Sequence, residues 1–216
     1  MTKEQPKVIF LDAVGTLFGV KGSVGEVYSQ IAQEFGVEVS SDTINQHFFP
    51  CFQVSPPPTF PGVDQQDILQ CEFDWWRNIS YQTFEKAGVI AQFSDFSAFF
   101  SELYIHFGTA EPWFVYPDVV TSLKKWQKMG IELGIISNFD SRIYTVLQSL
   151  ELRDFFQSIT ISTQAGVAKP EPKIFAIALE KHHCPPAAAW HIGDSIKEDY
   201  QAANTAGLRG IWINRQ

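Results

Sequence analysis

The sequence predicts an α/β fold: a parallel sheet built from βα units, with a helical block inserted after the first strand. Three observations predict it. From residue 115 onward, short apolar runs alternate with amphipathic segments, the texture of βα units. A lone apolar run at residues 7–11 has no strand partner near it in sequence, so it most simply joins that later sheet. Between them, residues 19–112 read as helices without a convincing strand.

Each element has a local reason. The opening "VIFLD" ends in Asp12, and a Gly-Thr pair follows at once, so an apolar strand delivers a carboxylate to a turn. Ser23 with Glu26 three residues on forms a capping box, and Val24, Val27, Tyr28, Ile31 and Phe35 keep helical spacing up to Gly36. Residues 41–52 read as a second, shorter helix. "VSPPPTFPG" breaks any regular structure and must be loop. Residues 64–87 read as a long helix carrying "CEFDWWRNISYQTFEKAG" and closed by Gly88; Ser94 opens another that ends near Gly108. Then come a helix over 117–129 stopped by Gly130, the strand "IELGIIS", a helix over 141–150 and the strand "SITIS". A helix over 172–182, the strand "AAWHIGD", a helix over 197–206 stopped by Gly207 and the strand "LRGIWIN" complete the chain.

Charge and composition support two bodies, a core of residues 1–18 and 113–216 and a helical domain of residues 19–112. The insertion carries 12 acids against 3 bases and 12 of the 19 Phe, whereas the remainder has 12 acids and 13 bases. Four or five helices that rich in aromatics can bury a small core of their own. The net charge of -8 disfavours nucleic acid and anionic membrane as partners. Three scattered Cys, with no CxxC pair, read as free thiols of a reducing compartment. Asp12 and two Gly interrupt the apolar start, which argues against a signal peptide, and no stretch approaches the roughly 20 apolar residues of a membrane span. The expectation is a soluble cytoplasmic protein; the sequence sets no oligomeric state.

In open parallel sheets, ligands bind beyond the carboxyl ends of the strands. The polar residues found there are Asp12, then Ser137-Asn138, then Asp194 with Asp199 five residues on; Lys169 precedes a helix in "GVAKPEP". Singly, each has a bland reading as a cap or a solvated loop residue. Together they would meet at one edge of one sheet. Three carboxylates cannot all stay ionised without a cation, and hard oxygen ligands of this kind suit Mg²⁺ with a substrate phosphate. Lys169 would balance charge and hold a phosphoryl oxygen. The Ser137 hydroxyl and the Asn138 backbone N–H would donate to others. Asp12 is left as a nucleophile that forms an acyl-phosphate, which water hydrolyses.

"DAVGTL", "IISN", "AKPEPKIF" and "GDSIKED" resemble, in order, the four motifs of the haloacid dehalogenase-like (HAD) superfamily. The resemblance covers essentially the whole chain: residues 1–18 and 113–216 resemble its Rossmann-like core, and the helical insertion its C1-type cap. "WWR" in the insertion is similar to a hydrolase branch of subfamily IA. The resemblance implies Asp12 as nucleophile, Lys169 as charge partner, and Ser137, Asn138 and Thr16 as phosphate ligands. It implies a Mg²⁺ site formed by Asp12, the Val14 backbone carbonyl, Asp194 and Asp199, and a small phosphorylated metabolite as substrate.

The first motif departs from the family's DxDxT at Val14. The missing Asp would protonate the leaving oxygen, and loss of a general acid/base costs about 10²–10⁴-fold in rate. Three readings follow. The protein is a Mg²⁺-dependent phosphatase that uses a good leaving group or borrows an acid, with His47, Glu72 and His106 as candidates. Alternatively it attacks carbon, as 2-haloacid dehalogenases do without a second acid or a metal. Or its catalysis is weakened and it binds a phosphorylated ligand or partner. A phosphonatase would need a Schiff-base lysine in the insertion, and nothing marks Lys21 or Lys86 for that role.

Overall fold

The computed structural model describes residues 5–215. Along the chain run β1 (Val8–Leu11), β2 (Phe18–Val20), α1 (Val24–Glu34), α2 (Ser41–Val54), α3 (Ile68–Lys86), α4 (Phe96–His106), β3 (Trp113–Val115) and α5 (Val119–Lys128). They are followed by β4 (Glu132–Ser137), α6 (Ile143–Ser149), β5 (Ser158–Ile161), α7 (Ser162–Ala165), α8 (Pro172–Lys181), β6 (Ala189–Gly193), α9 (Ala202–Thr205) and β7 (Arg209–Trp212). A π-helical stretch, Ile196–Gln201, runs directly into α9.

The main sheet has the order β5-β4-β1-β6-β7, and every pairing in it is parallel. This is the α/β class that the alternating texture predicts. The first strand is central: Leu11 stands opposite Ile135 on one side and Ile192 on the other. A strand buried on both faces needs an unbroken apolar run, which "VIFL" supplies. On one face Val8 and Phe10 pack with Ile174, Phe175, Ala178 and Leu179 of α8. Period-two alternation turns Ile9 and Leu11 to the other face, where they are also buried. The topology switches at β1, so the ends of β1, β4 and β6 define one crevice.

The chain forms two compact units. One contains the described residues up to Gly19, Pro58–Ile68 and the residues from Val115 onward; the other contains Val20–Pro57 and Leu69–Phe114. The second unit is helical. Ser23 caps α1, its hydroxyl accepting the Glu26 N–H at 3.1 Å, and Asp95 caps α4 through the Ala98 N–H at 2.9 Å. Its core is aromatic: Tyr28, Phe48, Phe84, Phe99 and Phe100 are buried together with Ile31, Ile44, Ile79 and Leu103. Trp75 and Trp76 pack against that core.

Several boundaries differ from the sequence reading. The strand pair β2–β3 was not expected; at three residues each, these strands carry too little pattern to register. The long third helix begins at Ile68 and not at residue 64, because Asp64 to Asp67 closes a turn by an i to i+3 hydrogen bond of 2.9 Å. The segment Pro58–Ile68 packs with the first unit although it lies within the insertion in sequence. Ser162 opens the short α7 instead of ending β5.

Candidate active site

The hydrogen-bonded ladder of β1 continues one residue past the strand. The Asp12 N–H donates to the Ile192 carbonyl at 2.9 Å, so this carboxylate leaves a rigid support. The chain then turns sharply. Leu17 N–H reaches Ala13 O at 2.8 Å, and Gly15 N–H reaches Phe18 O at 2.8 Å. Gly15 adopts φ +85°, and a Cβ there would run into the Asp194 carboxylate. A Cβ at Gly193 would likewise strike the Asp199 side chain. Two bare backbone positions thus make room for two carboxylates.

Asp12, Asp194 and Asp199 each offer an oxygen within 4.8 Å of the others. Asp12 and Asp199 are buried, while Asp194 is exposed. Lys169 bridges the buried pair, its Nζ 2.7 Å from Asp12 Oδ1 and 2.5 Å from Asp199 Oδ1. Asp199 also accepts from His191 Nε2 at 2.8 Å and, on Oδ2, from the Ser195 N–H at 3.0 Å. The π-helical stretch carries Asp199 inward, and such stretches occur often at functional sites.

Lys169 is itself clamped. The Asn138 side chain accepts the Lys169 N–H at 2.8 Å and donates to the Lys169 carbonyl at 3.0 Å. The same amide donates to Glu198 Oε2 at 3.2 Å. Ser137, the last residue of β4, is buried beside Asn138. Thr16 is buried under the first turn with no hydrogen-bond partner for its Oγ1 among the described residues, and its carbonyl accepts from Arg215 at 2.7 Å. Val14 is 36% exposed at the same turn. Trp212 donates its indole N–H to the Asp194 carbonyl at 2.9 Å.

The electrostatics follow from burial and mutual charge. Burial raises the Asp12 carboxyl above its ordinary value; Lys169 opposes that shift and Asp199 adds to it. Burial alone would lower Lys169, but the Asp12 and Asp199 carboxylates outweigh it and hold the ammonium above its ordinary value. Burial would raise Asp199, but the charge of Lys169 and the hydrogen bond from His191 hold it well below the usual range. Asp194, exposed at its surface but partly desolvated by the groups around it, is pushed up to about 6, first by that desolvation and then by the charges of Asp12 and Asp199. Burial lowers His191 and raises Glu198. A dense anionic cluster with one ammonium among its members has the donor chemistry to hold a hard divalent cation.

Asp12, Lys169, Asp194 and Asp199 therefore converge, with Ser137, Asn138, Thr16 and Val14 on the segments around them. Of the candidate acids, Glu72 is buried in the second unit, His47 is half-buried on α2, and His106 lies 4.0 Å from Glu111. Sequence reasoning overlooked His191, Ser195 and Glu198. A histidine in the strand "AWHIG" was the available signal, since a buried polar ring must find a partner.

Residues 6–207 match a family model described as haloacid dehalogenase-like hydrolase. The chain is 31% identical over 209 residues to haloacid dehalogenase-like hydrolase domain-containing protein 3 of Mus musculus, covering 97% of this chain and 82% of that protein. The fold is similar to that of a HAD phosphatase from Thermococcus onnurineus, at TM-score 0.64 and 24% identity over 97% of this chain and 87% of the other. It is also similar to that of L-2-haloacid dehalogenase from Xanthobacter autotrophicus, at TM-score 0.68 and 19% identity over 98% and 80%. One fold accommodates both chemistries, so the choice between them rests on the site.

Proposed function

The chain belongs to the haloacid dehalogenase-like hydrolase family, and from that premise we propose that it is a Mg²⁺-dependent phosphatase acting on small phosphorylated metabolites. One observation carries the reading: three carboxylates within 4.8 Å of one another, with Lys169 joining Asp12 to Asp199. An enzyme that attacks carbon needs no metal, and so no third carboxylate to hold one. In this reading Asp12, Asp194, Asp199 and the Val14 carbonyl would hold the ion. The rooms left by Gly15 and Gly193 for two of these carboxylates fit that role. When bound, Mg²⁺ neutralises phosphoryl oxygens and lets the carboxylates stay ionised together.

A carboxylate oxygen of Asp12 attacks phosphorus as the ester bond to the leaving oxygen breaks, giving an aspartyl-phosphate. Lys169 keeps Asp12 ionised and oriented, and its charge favours the extra negative charge of the transition state. The Ser137 hydroxyl, the Asn138 backbone N–H and the unpartnered Thr16 hydroxyl donate to the phosphoryl group. Water then hydrolyses the acyl-phosphate and frees Asp12. Val14 has no proton to give, so substrates whose leaving group departs as a stable anion are favoured, namely aryl and acyl phosphates.

The test is a panel of phosphate esters and anhydrides with and without Mg²⁺. Slow, Mg²⁺-dependent turnover of aryl or acyl phosphates is the expected result. Val14 itself favours a second reading, attack on the carbon of a 2-haloacid. Turnover of 2-chloropropionate in EDTA would overturn the phosphatase in favour of that reading. Binding of phosphorylated ligands without any turnover would favour a catalytically weakened binding protein.

A further inference from the structure

One buried group next to the site has a single polar contact. His191 lies on β6 with its ring fully buried, edge-on to Phe175 at 5.2 Å between centroids. Its Nε2 stands 2.8 Å from Asp199 Oδ1, while its buried Nδ1 has no hydrogen-bond partner among the described residues. A carboxylate accepts only, so the proton must sit on Nε2. A ring with one orphaned nitrogen is a poor filler for an apolar position, where Leu or Phe would bury no unsatisfied atom. The contact to Asp199 is what distinguishes histidine here.

The other buried histidine shows the contrast. His182 uses both nitrogens, Nε2 at 2.6 Å from Ser158 Oγ and Nδ1 at 2.5 Å from Glu132. It thereby ties the starts of β4 and β5 to the end of α8. A Cβ at Gly134 would meet the Ser158 hydroxyl, which is packed against β4 and reads as structural. The hydrogen bond of His191 instead joins β6 to the π-helical stretch at the site itself. His191 is the far end of a chain that runs through Asp199 and Lys169 to Asp12.

We propose that His191 is a positioning residue: its Nε2–H fixes the Asp199 carboxylate, and through Asp199 it holds Lys169 and the cation-binding cluster in register with Asp12. This deepens the phosphatase reading and rests on it. Asp199 Oδ1 accepts from two donors, Lys169 and His191. Without the imidazole donor Asp199 keeps only Lys169 on Oδ1 and the Ser195 N–H on Oδ2, and the spacing of the three carboxylates is held less firmly.

Two variants and one spectrum test it. His191→Leu removes the donor; His191→Gln returns an N–H at the reach of Nε2. Calorimetric titration of the substrate-free protein with MgCl₂ should show affinity reduced about 10–100-fold in His191→Leu, the usual size for an outer partner of a metal ligand. His191→Gln should recover toward wild type. On an aryl phosphate at saturating Mg²⁺, His191→Leu should lose kcat with little change in KM. Nitrogen-15 NMR of the wild type should find the ring proton on Nε2.

Wild-type Mg²⁺ affinity in a folded His191→Leu, a folded His191→Gln no better than His191→Leu, or a proton found only on Nδ1 would each overturn the proposal. If His191→Leu fails to fold, His191→Gln and the spectrum decide. A wild type that binds Mg²⁺ through a His191-dependent site yet hydrolyses no phosphate overturns the phosphatase reading and supports this one. A wild type with full phosphatase activity and an unimpaired His191→Leu does the reverse.

Discussion

The two units bury opposite things. The first hides charge: Asp12, Lys169, Asp199 and His191 are all below 10% exposed. The second hides rings: Phe84 alone meets Tyr28, Phe93, Phe96 and Phe99 at centroid distances of 5.0–6.4 Å. Removing paired charges from water is seldom repaid in stability, so a buried network of this kind is kept for chemistry. Removing aromatic surface from water is repaid directly. Lesions in the charged network of the first unit should therefore remove activity and leave the fold, and lesions in the aromatic cluster of the second should remove the fold.

The largest effect tests the first half of that contrast. Asp12→Asn deletes the proposed nucleophile and should lower phosphatase turnover by about 10⁴-fold or more. Lys169 keeps its partner Asp199, so no buried ammonium is left unpaired and the melting temperature should move little. Activity assays beside a thermal melt check both statements. A variant that is inactive because it is unfolded would break the comparison. The second half is tested by Phe84→Ala. Phe84 is fully buried at the centre of the aromatic cluster, and truncation should cost about 3–5 kcal/mol in urea denaturation. A cost under 1 kcal/mol would mean that the cluster packs too loosely to define the helical unit.

The same division decides what the sequence could reveal. An apolar run that ends in an acid is local, so the strands that deliver Asp12 and Asp194 were legible, and the parallel sheet they join followed from the βα alternation. The helices of the second unit were legible from period and caps, with Ser23 at the first start; the cap of α4 is Asp95, one residue beyond the Ser94 that the sequence suggested. What escaped depends on contacts distant in sequence. The Asn138 clamp on Lys169 spans 31 residues. The inward turn of Asp199 follows from a π-helical stretch that no simple periodicity announces. Residues 58–62 read correctly as irregular and residues 64–67 were read as helix, yet composition does not say which unit the segment packs with.

Val14 sharpens the comparison at the exposed edge of the buried network. If charge placement alone limits the first unit, Val14→Asp should raise turnover of alkyl phosphates by about 10²-fold, the lower end of what a general acid supplies. Aryl phosphates should gain far less, because their leaving oxygen needs no proton. A side chain at this turn is already 36% exposed, so the added carboxylate meets little burial cost. Equal turnover of alkyl and aryl phosphates by the wild type would show that another group already donates the proton.

The smallest effect asks whether the exposed charges of the first unit follow the rule of its buried ones. Arg215 lies 4.2 Å over the Tyr116 ring and pairs with Asp118 at 2.5 Å, while its other nitrogen holds the Thr16 carbonyl. The hydrogen bond from Arg215 lowers the Asp118 carboxyl below its ordinary 3.8. A carboxylate depressed on folding adds stability that is present above its unfolded value and is lost as pH falls through the folded one. The loss therefore begins only as pH drops below about 4. Asp118 is 53% exposed, so solvent and salt screen the pair, and Asp118→Asn should cost only about 0.2–1 kcal/mol at pH 7. The gap between the wild-type and Asp118→Asn denaturation curves should close at acid pH and shrink in high salt. A gap that survives both would mean that Asp118, like the buried carboxylates, is held by more than its surface charge.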